Sequence, residues 1–568
     1  MKNKILTGCL IAASVFSLTA CDDFLTEDPK GQLTPDKFFS NQKELDMSVN
    51  SLYAKVQASQ CNSNPMIPQV QGDDVTSTTG SNKAAYLSAD AFEAPTDAKG
   101  LNDAWYRHYH IVKAANLIID NAGKAATTPE QINIALGQAY YWRAYAYFNL
   151  VRLFGPLPLN LHNLPDNNTT PLSSVEDVYK LIVEDLQKAE ACNLPAKYTG
   201  DNRSIEGQNI WVSEQTVKAT LSAVYMAMAG YPLNKTEMYA QAAAKAKEVI
   251  DGVESQKYDQ ALLPEWKNVY NFGMNHHNET LLGMDYNANP GGWSEGDSQL
   301  SSCHQSGKLW GGWGDFLAER RFWKNFPAGP RKNAVYSEKI LLNNKVAVDW
   351  WATNDGEPYN GKNNVVPDYR PMFIGFSLNA EGGQPVAAPF DYTKPVWGGM
   401  CINKRHQVIR YSEVLLWYAE SAARAGQDLT QAKAALKQVR ARAYDDQAQV
   451  AAVDAMGAAE LAEAAYNEHG YEVAGNVMSM VTRRADQFRM DRLKDTYDYR
   501  AGAQSEVLVP AGTVTASCNA EGEPFTYTLK EDVVVKEEMN ITAAWNGVAS
   551  IYHNYPPKEV EKNGNLKR

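Results

Sequence analysis

The chain has 568 residues, a formal net charge of −12 and a 10% aromatic content, with 13 Trp and 30 Tyr. That acidity excludes nucleic acid as an expected ligand, because phosphate binding needs a basic surface; it also disfavours strongly anionic polysaccharides unless a local basic pocket receives them. Seven cysteines form no CxxC pair and no Cys/His cluster at zinc spacing, so no disulfide framework, metal site or cofactor is expected.

The first residues read as an address. Lys2 and Lys4 make a positive start, and Ile5 to Leu18 is a mostly apolar run too short and too interrupted to span a bilayer as a helix. It closes on Leu18-Thr19-Ala20-Cys21, which resembles a lipobox: small residues fit a peptidase groove and the thiol takes a diacylglycerol. Residues 1–20 are therefore expected to be a lipoprotein signal peptide, and 21–568 one domain tethered through lipid on Cys21. Cleavage removes two lysines and no acid, which takes the charge from −12 to −14. Of the remaining cysteines, Cys61, Cys192, Cys303, Cys401 and Cys518 read as mostly buried small apolar residues.

Helical pairs follow, over about 41–265 and 405–495. Thr128-Pro129-Glu130-Gln131 is a helix start, with Thr as N-cap, Pro in the first turn and Gln positioned for a capping box. Ala139, Trp142, Ala146 and Leu150 then make one stripe, and Phe154-Gly155-Pro156 ends it. Ser173 or Ser174 caps the partner helix, whose stripe is Val178, Ile182, Leu186 and Ala189. Residues 213–229 and 236–250 make a second pair around Pro232. Tyr411, Leu415, Tyr418 and Ala422 answer Ala432, Leu436, Val439 and Ala443 in a third. Aromatic-and-Ala facing Ala-rich helices is the grammar of tetratricopeptide-like hairpins, although no fixed 34-residue period recurs. A generic helical bundle would satisfy the same stripes.

Residues about 265–405 change character, with Asn287 to Trp293 and Trp310-Gly311-Gly312-Trp313-Gly314 typical of a long Gly-, Asn- and Trp-rich stretch. Long loops of this kind are uncommon without a task. A further irregular segment, about 500–548, alternates over Phe525 to Leu529 and Asp532 to Lys536, which predicts short strands in a peripheral insertion. The fold class expected is thus mainly α, helix pairs supporting an irregular, loop-rich half with a few short strands. Chemistry finds no foothold. Asp73-Asp74 adjacency does not set two carboxyls across a glycosidic bond. A helix would send His108 and His110 to different faces, and His276-His277 lack a third ligand. No nucleophile elbow, phosphate loop or dinucleotide fingerprint occurs, so no enzyme is expected. Trp142, Trp417 and Tyr418 fall on helical stripes and read as core. Trp293, Trp310 and Trp313 fall among glycines and can offer flat rings to pyranose faces, though Phe316 and Phe322 near Trp313 favour packing there.

Several blocks together resemble the SusD/RagB family of Bacteroidetes surface lipoproteins. They are Cys21 to Leu25 with Asp28-Pro29, Trp105 to Asn116, Trp142 to Phe148 through Phe154 to Pro158, Arg410 to Leu416 with Ala419-Glu420, Val439 to Ala443, and Tyr555 to Val560. Departures are Lys437 where Asn is usual, Pro330-Arg331 where Asp-x-Arg is common, and Arg483-Arg484-Ala485-Asp486 as a loose match to Glu-Gly-x-Arg. The resemblance implies four tetratricopeptide-like units, an outer-membrane location, and a SusC-like TonB-dependent transporter on which the lipoprotein sits. It implies an oligosaccharide ligand, or in a minority of systems a peptide. It also marks Asp73 to Tyr86, with Asp73, Asp74, Asn82 and Tyr86, as a segment where relatives place polar ligand contacts. A peptide-binding or scaffolding lipoprotein of the same uptake complex is the alternative.

Overall fold

The Thr128 side chain accepts a hydrogen bond from the Gln131 N–H at 3.3 Å and starts a helix over Pro129–Phe154 that ends at Gly155, where φ is +71°. Local sequence therefore fixes both ends of the longest predicted helix. The computed structural model describes residues 38–60, 64–77, 84–93, 99–164, 167–200, 203–286, 304, 314–342, 346–352, 370–374, 379–381, 384–386, 404–502, 505–519, 523–537, 541 and 543–567. The main helices are α1 (Gln42–Gln60), α2 (Lys99–Asn121), α3 (Pro129–Phe154), α4 (Val175–Ala191), α5 (Glu214–Ala229), α6 (Met238–Glu254), α7 (Tyr411–Arg424), α8 (Leu429–Ala443), α9 (Ala458–Glu472) and α10 (Arg483–Arg489).

The three predicted pairs form: α3 packs on α4, α5 on α6, and α7 on α8, with α1 on α2 as a further pair. Ser174 caps α4 by accepting from Asp177 N–H, as its spacing predicts. The stripe Ala139, Trp142, Ala146 and Leu150 is wholly buried, and Trp417 and Tyr418 are core residues too. Alanines at the contacts, such as Ala219, Ala242 and Ala246, let the helix axes approach. Polar cross-links then fix the register. Arg143 on α3 donates a fork to Asp185 on α4 at 2.7 and 2.8 Å and reaches Asn116 on α2 at 2.9 Å. Such a bidentate pair, buried and satisfied, is geometrically specific. Among the described residues no helix is long and apolar enough to cross a membrane.

Behind α7 to α9 lies a dense ionic knot. Glu472 accepts from Arg410 at 2.6 Å, Arg331 at 2.8 Å, Arg442 at 2.9 Å and the Trp266 indole at 3.1 Å. Glu279 joins Arg410 and Arg442, and Glu468 joins Arg331, Arg440 and Tyr444. Burial opposes ionisation of Glu472, yet the Arg410, Arg442 and Arg331 guanidiniums hold its carboxyl well below the usual range. The departures read in the sequence find their places here. Arg331 fills the knot without a preceding Asp, and Lys437 pairs with Asp454 at the exposed rim of α8.

The short strands include β1 (Val75–Thr76), β2 (Thr280–Met284), β3 (Leu317–Ala318), β4 (Val346–Asp349), β5 (His406–Arg410), β6 (Ser505–Val509), β7 (Val514–Cys518), β8 (Pro524–Thr528) and β9 (Val533–Glu537). The predicted insertion strands form, but β8 and β9 pair with β7 and β6 and not with each other. They enclose a small core of Val509, Cys518, Leu529, Val533 and Val535 that Val348, Trp350 and Trp351 complete. A stretch assigned from sequence to the loop-rich region thus packs with the insertion, tied by Ala516 N–H donating to Asp349 at 2.6 Å. Cys518 is buried and Cys192 half-buried, while Cys61, Cys303 and Cys401 lie outside the described residues.

Candidate ligand-binding face

Two antiparallel ladders join stretches that are far apart in the chain. β1 pairs with β3, Val75 opposite Ala318 and Thr76 opposite Leu317. The chain leading into 78–83 therefore lies beside the chain emerging from 305–313. β2 pairs with β5, His406 opposite Met284, which sets the stem of 287–303 beside the stem of 387–403. In two-residue and five-residue ladders the register is short, so side-chain and backbone ties must secure it.

The segment from α9 to α10 supplies those ties. Gly475 N–H donates to the Asp74 carboxylate at 2.9 Å, and the Gly475 carbonyl accepts from the His304 ring at 2.8 Å. The Asn476 amide donates to the Gln407 carbonyl and Met480 N–H to the Val408 carbonyl. Both ladders are thus stitched to one stretch of backbone. Gly475 has φ +72°, and a Cβ there would meet the Phe373 ring at 2.6 Å, so the junction needs glycine. Arg500, buried, donates to the carbonyls of Val70, Gly72 and Val75 and pairs with Asp90, holding the approach to β1.

The residues nominated from sequence divide sharply. Asp73 is partly exposed and receives a fork from Arg483 at 2.7 and 3.1 Å, while Gln487 accepts from its N–H at 3.0 Å. Asp74 is 4% exposed and Tyr86 5%, the Tyr86 ring lying edge-on to Phe316 at 6.0 Å. A side chain so covered offers no surface to a ligand. As placed, both hold the β1 stem from within. The partial exposure of Asp73 keeps it among the polar candidates. Cys21, Asn82, Trp293, Trp310 and Trp313 lie outside the described residues. His108 is buried and His110 exposed, the two faces that helical spacing requires. His276 pairs with Asp285 at 2.7 Å, and among the described residues no group of three or more His, Cys, Asp or Glu could hold a metal.

Sequence reading did not find Gly475, His304 or Arg500. Distance along the chain hides the partners: Gly475 and Asp74 are 401 positions apart. Burial pushes the Asp74 carboxyl up to about 7, against the lowering effect of the Gly475 N–H, and Asp73 beside it adds to the rise. A carboxyl whose pKa is raised on folding contributes stability below its unfolded value near 4 that is lost as pH climbs through about 7. Asp74→Asn keeps an acceptor for Gly475 and removes that loss. At pH 8 the variant is expected to be more stable than the parent by on the order of 1 kcal/mol or more, with the gap closing only as the pH falls to about 4. Urea titrations at both pH values check this, and a variant weaker than the parent at pH 8 contradicts the assignment.

A scaffold of helix pairs joined to short, stitched strand ladders defines a class: a mainly helical, tetratricopeptide-like fold. Residues 23–226 match a family described as "Starch-binding associating with outer membrane", and residues 328–568 match the "SusD family". The fold is similar to a SusD homolog from Bacteroides thetaiotaomicron, with a TM-score of 0.70, 17% identity, and 94% of this chain and 97% of that one covered. It is also similar to a "Laminarin binding SusD-like protein", with a TM-score of 0.64, 17% identity, and 92% and 98% covered. A SusD-like protein of Bacteroides ovatus is 26% identical over 323 residues, 55% of each chain, so the match spans about half the length of that relative. The chain belongs to the SusD/RagB family, whose members are binding proteins associated with the outer membrane.

Proposed function

We propose that the chain is a surface-exposed outer-membrane lipoprotein that captures oligosaccharides, passes them to a SusC-like TonB-dependent transporter, and catalyses no reaction itself. The observation that carries this reading is the stitching of both ladders to Gly475, Asn476 and Met480. It gives the segments bearing Trp293, Trp310, Trp313 and Asn82 rigid, neighbouring roots, as preorganised binding requires. A laminarin-binding relative of the same fold favours a glycan over a peptide. Purified protein titrated against a panel of neutral polysaccharides is expected to select one linkage class, and silence across the panel with tight binding of peptides would reverse the reading.

The anchor and the partner are tested in one preparation. Cys21→Ala is expected to abolish membrane attachment in cells lacking the transporter while leaving the melting temperature unchanged, since stable anchoring takes more than one acyl chain on the cysteine. With Cys21 intact, gentle detergent extraction is expected to bring down a TonB-dependent barrel. Attachment of the variant without the transporter contradicts the lipid assignment, and repeated recovery of the chain alone contradicts the partner.

A further inference from the structure

A cleft of about 630 Å³ opens between α2, the loop after α3 and the C-terminal residues 559–566. Its lining shares no residue with the stems of the loop-rich face. The volume falls in the range of small-molecule sites. One wall is aromatic. Tyr106 and Tyr109 are half-buried on α2, and Tyr109 is fixed by donating to the Pro158 carbonyl at 2.9 Å with its ring 4.7 Å from that of Trp105. A ring held at both ends presents one face in one orientation.

The rest of the lining is rich in amides, and these groups differ in how far the protein uses them. Asn116 is consumed: it donates to the Asn160 carbonyl and accepts from Arg143. Asn160 accepts from Thr170 through Oδ1, and Asn163 donates to the Lys113 carbonyl through Nδ2. Among the described residues, Asn160 Nδ2, Asn163 Oδ1 and Lys113 Nζ have no partner. Free amide donors and acceptors beside a fixed aromatic face are what vicinal hydroxyls on a pyranose need. Charge narrows the choice. Lys113 and Lys562 line the cleft with His110, against the one carboxylate of Glu559, which Lys562 already engages at 2.9 Å. On a chain of net charge −12, that is a local positive excess small enough for one anionic group and too small for a polyphosphate.

We propose that this cleft is a second saccharide site, for one or two sugar units carrying a carboxylate, with the carboxylate on Lys113 and ring hydroxyls on Asn160 and Asn163. It rests on the reading of the chain as a glycan binder and adds a site and a ligand class to it. Calorimetry on the full chain in detergent uses digalacturonate and diglucuronate, each beside its methyl ester. At least one acid is expected to bind, its ester at least tenfold more weakly, the size of one lost charge-assisted hydrogen bond. Lys113→Met is expected to weaken the acid by that same factor and leave the ester unchanged, with no shift in melting temperature because the side chain is exposed. Asn163→Ala is expected to weaken both forms. Trp293→Ala and Trp310→Ala should change none of these values. Failure of both acids to bind, or indifference of binding to Lys113→Met, overturns the proposal. Loss of acid binding through the Trp variants alone also overturns it while leaving the loop-borne glycan site standing. Acid binding through Lys113 in a protein deaf to every neutral glycan upholds the cleft and removes the loop site instead.

Discussion

Glu472→Gln is expected to lower folding stability by about 3–5 kcal/mol, the usual cost of removing one partner from a buried ion pair. Glu472 meets three guanidiniums and an indole, and Arg331, Arg410 and Glu472 are all shielded from solvent. Gln preserves the volume and one acceptor, but it cannot compensate three cations, and Glu279 and Glu468 are already engaged by Arg410, Arg442 and Arg440. The loss is a large fraction of the total stability of a typical domain, so a strongly reduced denaturant midpoint or poor expression should follow. Lys437→Ala is the control: its pair with Asp454 is exposed, and such pairs are worth about 0–1 kcal/mol. A midpoint for Glu472→Gln as close to the parent as that of Lys437→Ala would show the knot to be replaceable.

The knot also marks where the sequence stops being readable. Helix pairs were legible because their signals are local: Thr128 and Ser174 cap within three residues, and the alanine stripes repeat every turn. The insertion strands were legible as strands from their alternation, but their partners were not, since β6 reaches across to β9 over β7 and β8. Arg331, Glu279 and Glu472 come together from three distant stretches, and no periodicity links them. The same holds for the candidate face. Asp73 and Asp74 drew attention as a pair of carboxylates, yet Arg483 takes one and Gly475 the other, from residues some four hundred positions away. In contrast, Tyr106, Tyr109, His110 and Lys113 stand at spacings of three, four and seven, a polar-aromatic helix face that is local in the sequence.

Trp293→Ala and Trp310→Ala are each expected to weaken the cognate glycan roughly thirtyfold or more, with little change in melting temperature. The size follows from hot-spot behaviour: a stacked, partly desolvated aromatic is worth on the order of 2 kcal/mol or more, and about 1.4 kcal/mol is tenfold in affinity. The choice of residues follows from their neighbours in sequence, Asn, Gly and Ser without a helical stripe, and from the stems that root their segments. The segment with Trp293 leaves β2 beside the stem that enters β5, and the segment with Trp310 enters β3 beside β1. His304, between the two in sequence, is buried and bonded to Gly475, so both tryptophans lie within eleven residues of a fixed point. A short tether to a rigid anchor limits the entropy lost when a ring is held against a sugar. Packing predicts the opposite pattern, because truncating a buried Trp costs about 3–5 kcal/mol of stability. Affinity and melting temperature measured on the same two variants therefore separate recognition from core. A large fall in melting temperature with undiminished affinity in the folded fraction would assign both rings to packing, and the glycan surface would then have to be sought on other residues of the same stems.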